Sequence, residues 1–269
     1  MNKESPEPRR VLVTGSAGAV GQIVCRSLRK RGHDVRGFDL RATSGLDDSV
    51  TADLRDRAKV QEAVQGREIV IHLAAHPDDG DFINELLEPN VQVLYYVCDA
   101  ARQAGVARLV LASSLQVVEG HGWNAGTIRV ENGPAPTNHY ALTKAWAELL
   151  GQMYARCYGL SVVMARIGWL PRDIEDARRL AKHEIGPSVY VSHHDAGRFF
   201  ERCVESPAPG PSESAIVFVT SRPPGRVILD TEPARRILGY EPDDTWPGGL
   251  PFDGSSTVRF CNPLGLVKL

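Results

Sequence analysis

Tyr140 and Lys144 stand four residues apart in the stretch HYALTK, residues 139–144. On a helix that spacing puts both side chains on one face, about one turn apart. A free tyrosine, with pKa ~10, is a poor base at neutral pH. A nearby lysine ammonium favours the phenolate, and the positive charge of an oxidised nicotinamide would add to the effect. The pair is suited to taking a proton from a substrate hydroxyl while hydride leaves for a cofactor. Ser113 and Ser114 end the run ARLVLASS. At the C-terminal edge of a parallel strand a hydroxyl faces the crevice where ligands bind, so one of the two could hold the substrate oxygen beside Tyr140.

A second signal lies near the start. The segment TGSAGAVG, residues 14–21, carries Gly15, Gly18 and Gly21 between a predicted strand and a predicted helix. The chain must turn tightly there and let a pyrophosphate approach the backbone. The helix opening with Ala19, Val20 and Gly21 offers free N–H groups and a partial positive charge to the phosphates. Asp39 closes the second predicted strand, near the ~20-residue spacing at which an acid meets the adenosine ribose. A carboxylate there accepts from the 2′-OH and repels a 2′-phosphate, so NAD is expected over NADP, with Arg41 placed to soften that preference. The structural alternative is a solvated strand end. Asp53, closing the third strand, could accept from the adenine amino group or serve as a turn residue.

The elements that must position these groups alternate strand and helix. Strands are predicted at 10–15, 33–40, 51–54, 68–75, 107–114 and 160–168, and helices at 20–31, 57–64, 86–105, 141–158, 196–206 and 232–238. Asp195 is expected to cap the helix at 196–206. Repeated β-α-β units with continuous apolar strands such as VIHLAA imply a parallel sheet covered on both faces. The expected fold is a doubly wound α/β sheet of the Rossmann kind with a small C-terminal substrate lid. Residues 1–9 read as a tail, 10–170 as the NAD-binding core, and 171–269 as a substrate-binding region partly interleaved with it.

Composition narrows the function. The chain has 269 residues, 42% of them hydrophobic, with a formal net charge of −2. No charge run suits a nucleic-acid partner, and no apolar run approaches the ~20 residues of a membrane helix. MNKESPEPRR at the start is too polar for a secretory signal. Cys25, Cys98, Cys157, Cys203 and Cys261 show no metal or redox spacing. A cytoplasmic protein with unpaired thiols is expected. His193, His194 and Asp195 lack a third spaced ligand, and adjacent histidines in extended chain face opposite ways. No metal is expected there, and His72 reads as a core histidine.

Together these motifs resemble the extended short-chain dehydrogenase/reductase superfamily, the NAD-dependent epimerase/dehydratase family. TGSAGAVG resembles its glycine turn, VIHLAA its fourth strand, VLASSLQVV its serine strand with Val118 in place of tyrosine, and YALTK its active-site pair. The resemblance implies Ser114 as the catalytic serine, Tyr140 as proton acceptor and Lys144 as the lysine that also binds the nicotinamide ribose. It also implies a cofactor channel lined by Leu40, Leu54, Leu73, Ala74, Ala75 and Ile167, with Asn90 as the helix asparagine, and a homodimer through the helices near 90–105 and 141–158. Within the family, ARIGW and VSHHDAGRFFE are similar to segments of the uronate dehydrogenase group. An arginine between them should grip a substrate carboxylate, with Arg179 the first candidate and Arg178 the second. Leu115 and Trp169 replace the asparagine and serine of that group, and Pro77 and Asp78 stand where small polar contacts are expected. Either the substrate is less polar than a hexuronic acid or other residues supply the contacts. The implied activity is transfer of hydride from a secondary or anomeric alcohol of a small sugar-like substrate to NAD. An NAD-dependent sugar epimerase and a non-catalytic NAD-binding protein are the alternatives. Leu115 and Gln116, in place of an acidic pair, weaken a dehydratase reading.

Overall fold

The computed structural model describes residues 7–124 and 126–250, together with the backbone of two short C-terminal strands. The chain begins with β1 (Arg10–Thr14), α1 (Ala19–Lys30), β2 (Asp34–Asp39), β3 (Ser49–Thr51), α2 (Arg57–Val64) and β4 (Ile69–His72). A helical segment Phe82–Gln92 then runs into α3 (Val93–Gln103) and β5 (Arg108–Ser114). Next come α4 (His139–Tyr158), β6 (Ser161–Ile167), α5 (Ile174–Lys182), α6 (Gly186–Val189) and α7 (His193–Glu205). β7 (Ser214–Val219), α8 (Glu232–Leu238) and an antiparallel hairpin of β8 (Arg259–Asn262) and β9 (Gly265–Lys268) follow.

Seven strands form one sheet in the order β3-β2-β1-β4-β5-β6-β7, every pair parallel. The order reverses between β1 and β4, which opens a crevice at the strands' C-terminal ends. Alternation along each strand feeds two cores. Leu12, Val70, Leu109, Leu111, Val162 and Met164 face α2, α3 and α4. Val11, Val13, Ile69, Ile71, Val110 and Val163 face α1, α7 and α8. No helix among the described residues is long and apolar enough to cross a membrane.

Several boundaries differ from the sequence reading. The helix expected over 86–105 begins at Phe82 and runs to Gln92 as a widened π-helical stretch. Pro89 lies inside it and cannot donate the usual helical hydrogen bond. The third strand is Ser49–Thr51 rather than 51–54. Ser192, not Asp195, caps α7: its hydroxyl accepts the Asp195 N–H. After residue 170 the chain returns to the core, where β7 pairs with β6 and α7 packs on α1. β7 was not expected at all. Residues 1–6 of the expected tail lie outside the described residues, while Arg9 is tied through its N–H to His33 Nδ1. Cys25, Cys98, Cys157 and Cys203 are free thiols, and the Cys261 side chain falls outside the described residues.

Candidate active site

The glycine turn leaves β1 through Gly15, whose φ of +71° lies in the left-handed region. A Cβ on Gly15 would stand 2.7 Å from the Ala74 backbone nitrogen, and one on Gly21 would stand 2.7 Å from the Ser16 Cα. Only glycine fits either position. Gly18 precedes the first turn of α1, which no side chain caps and no acidic residue occupies. Its N–H groups are left for an anion. The Asp39 carboxylate accepts from the Ala17 N–H at 3.0 Å and from the Arg41 N–H at 3.1 Å. It therefore stiffens the turn as well as edging the crevice. Asp53 is held by Arg55 through bonds of 2.8 and 2.6 Å to its Oδ2. The Arg55 guanidinium keeps that carboxyl below the usual carboxylate range. This glycine cradle and uncapped helix end fit a dinucleotide pyrophosphate.

One cavity of about 880 Å³ runs from this turn to the Tyr140 helix. Its lining includes Gly15, Gly18, Ala19, Val20, Gly21, Asp39, Leu40, Asp53 and Leu54, then Leu73, Ala74, Ala75 and Ile167. At the far end it reaches Ser114, Leu115, Tyr140, Lys144, Trp169 and Arg179. Two expected site residues are not brought to it. Asn90 lies behind the wall, where its side chain accepts the His76 N–H at 2.7 Å and donates to Thr143 Oγ1 at 3.2 Å. It joins the loop after β4 to α4, so its effect on a ligand is indirect. Arg178 pairs instead with Glu175 at 3.1 Å on the exposed side of α5.

Tyr140 and Lys144 sit in the first turns of α4, capped by Asn138 and by Asp79, which accepts the Tyr140 N–H at 3.1 Å. Lys144 Nζ donates to the Ala112 carbonyl at 3.2 Å and lies 5.4 Å from the centre of the Tyr140 ring. Ser114 lines the same cavity as Tyr140 and pulls the phenol's pKa down, and its own oxygen accepts the Gln116 N–H at 3.2 Å. Ser113 faces the other way. It donates to Glu148 at 2.6 Å, and Glu148 in turn holds the buried Arg166 through bonds of 2.8 and 2.9 Å. The phenol is not low in this state. Burial pushes Tyr140 up to about 12, against the opposing pull of Ser114. Burial also pushes Lys144 down to about 8. The four-residue spacing conveys the pull of the ammonium group but not the cost of burying both side chains. His72 is a core histidine, as expected, with Nδ1 2.7 Å from Thr14 Oγ1, and burial pushes it down to about 3.

Beyond Tyr140 the cavity is walled by Leu115, Trp123, Trp169, Ile185 and Val189, with charged groups at the rim. Asp176 on α5 is 2% exposed and accepts from Trp169 Nε1, the Arg172 N–H, Arg172 Nε and Arg179 Nη2. Arg172 also reaches Asp78, with Nη1 3.2 Å from Oδ2. Sequence reasoning missed Arg172 and Asp176. The spacing carries part of the signal, since Asp176 and Arg179, three apart on α5, pair with each other, whereas Arg172 lies before the helix.

His194, Asp195 and Asp244 bring ligand atoms within 4.8 Å of one another. The Asp195 oxygens already accept from Ser221 Oγ, the Asp243 N–H and the Asp244 N–H. The cluster ties residues 243–244 to the start of α7.

The sequence profile of the NAD dependent epimerase/dehydratase family matches residues 11–170. L-arabinose 1-dehydrogenase (NAD(P)(+)) of Haloferax volcanii is 33% identical over 250 residues, covering 87% of this chain and 96% of that one. The solved glucuronic acid dehydrogenase of Chromohalobacter salexigens superposes with a TM-score of 0.76 at 27% identity, covering 89% of this chain and 86% of that chain. A variant uronate dehydrogenase of Agrobacterium tumefaciens, complexed with NAD, gives 0.73 at 25% identity over 91% and 93% of the two chains. The parallel sheet with its glycine turn, and the Tyr140, Lys144 and Ser114 cluster facing one crevice, agree with that match, and the chain belongs to the NAD dependent epimerase/dehydratase family.

Proposed function

We propose that this protein is an NAD-dependent dehydrogenase of a small free sugar, oxidising a secondary or anomeric hydroxyl. One observation carries the reading: Ser114, Tyr140 and Lys144 meet in the same cavity as an uncapped helix end and its glycine cradle. Relatives named as dehydrogenases of arabinose, glucuronic acid and uronate support a sugar as substrate. Gly15, Gly18 and the first turn of α1 would hold the pyrophosphate, and Asp39 the adenosine ribose. The carboxylate of Asp39 favours NAD over NADP. When bound, the nicotinamide ring supplies the acceptor for hydride.

The chain's own residues do the rest. The hydroxyl of Ser114, oriented by the Gln116 N–H, holds the oxygen of the reacting alcohol beside Tyr140. The Tyr140 phenolate takes that proton, and Lys144, held by the Ala112 carbonyl, stabilises the phenolate from the next turn of α4. Trp169 and Leu115 shape the sugar pocket, and Arg179 stands at its rim. Leu142 and Leu149 on α4 and Tyr95 on α3 are exposed, which suits a homodimer through these helices.

A panel of aldoses, uronic acids and simple alcohols, followed by NADH absorbance, tests the reading. Net NADH formation with a sugar is expected, and the Tyr140→Phe variant should lose about 10²–10⁴-fold in turnover with little change in NAD affinity. Isomerised product without NADH would establish an epimerase instead. NAD binding without turnover of any alcohol would establish a non-catalytic protein.

A further inference from the structure

We propose that Asp78 is a built-in counter-ion of the sugar pocket and sets its choice between neutral and anionic sugars. The proposal rests on the dehydrogenase reading above and adds the property of the substrate that the pocket selects. Arg172 and Arg179 bring two guanidinium groups to the far end of the cavity. Asp176 lies between them, with four donors on its two oxygens. That carboxylate is saturated and cannot turn to a ligand. One buried carboxylate against two cations leaves one positive charge over. Asp78 meets it from the loop after β4, with Oδ2 3.2 Å from Arg172 Nη1.

The two ends of this contact differ. Arg172 is fixed from behind, by its backbone N–H and its Nε, both bonded to Asp176. The Asp78 side chain is 60% exposed. An exposed pair of this kind adds little to stability, so a ligand carboxylate can displace it. Asp78 thus holds the place on Arg172 that the carboxylate of a sugar acid would take. Asp78, Arg172 and Tyr140 line one cavity, and both charges act on the phenol, Asp78 raising its pKa and Arg172 lowering it. Asp79, the next residue, caps the Tyr140 helix, so the position of Asp78 is fixed relative to the phenol. A neutral sugar leaves the Asp78–Arg172 pair intact. A uronic acid must expel Asp78 or lie beside its charge, which costs affinity for the acid alone.

The test uses sugars that differ only at one terminal carbon, galactose with galacturonate and glucose with glucuronate. The full-length protein and its Asp78→Asn variant are compared, the variant keeping the shape and removing the charge. The ratio of kcat/KM for acid over neutral sugar should rise about tenfold in the variant, as expected for one partly screened charge, and the rise should come through KM. In an Arg172→Met background the same substitution should change the ratio by less than twofold, because the shared partner is gone. A second arm needs no turnover: galacturonate and galactose are titrated while the fluorescence of Trp123 and Trp169, both lining the cavity, is followed. Tighter galacturonate binding in Asp78→Asn, with galactose unchanged, supports the proposal even if the dehydrogenase reading fails. An unchanged ratio, or one that shifts equally with and without Arg172, overturns it. So does failure of galacturonate to bind either protein.

Discussion

Replacing Lys144 with methionine should make the cofactor-free protein more stable at pH 7 while removing its activity. Lys144 is 7% exposed and burial pushes it down from the ordinary 10.5 to about 8. The gap corresponds to about 3 kcal/mol, at about 1.4 kcal/mol per tenfold. The sign follows from proton counts. Below about pH 8 the lysine is charged in both folded and unfolded chains, and the folded state carries the whole cost of burying the ammonium group. Between about 8 and 10.5 the folded chain is neutral there while the unfolded chain is still charged, so stability rises with pH. Above 10.5 both are neutral and the cost is gone. The methionine variant has no such dependence. Its advantage over the native chain should therefore be largest below pH 8 and shrink by about 3 kcal/mol as pH rises to 10.5. Loss of the bond to the Ala112 carbonyl lowers the variant by about 1 kcal/mol without altering the slope. Urea unfolding of both proteins at a series of pH values from 7 to 10.5 measures the difference, in which groups that Lys144 does not touch cancel. Parallel stability curves across that window would refute the burial argument.

Three further outcomes are expected. Ser114→Ala should cut turnover sharply, whereas Ser113→Ala should leave turnover largely intact and cost about 1–3 kcal/mol of stability, since buried Glu148 loses a donor; steady-state kinetics and urea midpoints separate the two roles. Asp39→Ala should weaken NAD and reduce discrimination against NADP, read from cofactor titrations, and an unchanged preference would remove Asp39 from the ribose site. Gly15→Ala should destabilise the fold by more than about 1 kcal/mol and weaken NAD, because the new Cβ meets both a positive φ and the Ala74 backbone; native-like melting would show that the turn relaxes.

How much of this was legible beforehand depends on the range of the forces involved. The β1 turn, α2, α4 and α8 fall within two residues of their expected positions, because strand composition, glycine spacing and helical periodicity are local. The pairing of Tyr140 with Lys144 is local too. The assignment of α7's cap to Asp195 failed because the helix begins three residues earlier, at His193, so Ser192 takes the cap position and Asp195 lies in the first turn. The failure to foresee β7 is of another kind. SAIVFV is an apolar run after a proline-rich stretch, and nothing nearby says that it joins the sheet beside β6. The pocket arginines were also hard to rank. Arg172, Arg178 and Arg179 are equally charged in sequence, and only the buried Asp176 separates the two that reach the cavity from the one that pairs with Glu175.

The choice between Ser113 and Ser114 shows where a longer-range rule recovers what local reading leaves open. Side chains along β5 alternate between the two cores, and Leu109 and Leu111 face α3 and α4. Ser113 continues that row and meets Glu148 on α4. Ser114 therefore falls on the other row, at the point where the strand ends and the crevice opens. Beneath it, the Glu148 and Arg166 side chains are 3% and 1% exposed, an ion pair buried under the site. Such a pair adds little net stability, since desolvation offsets its attraction. It does fix the spacing between α4, which carries Tyr140, and the ends of β5 and β6, which carry Ser114 and Ile167. The buried ammonium of Lys144 is costly to folding in the same way. In the proposed dehydrogenase both costs fall on groups that hold or activate the phenol, so the chemistry of this site and its loss of stability would have one origin in charges kept at the crest of an apolar sheet.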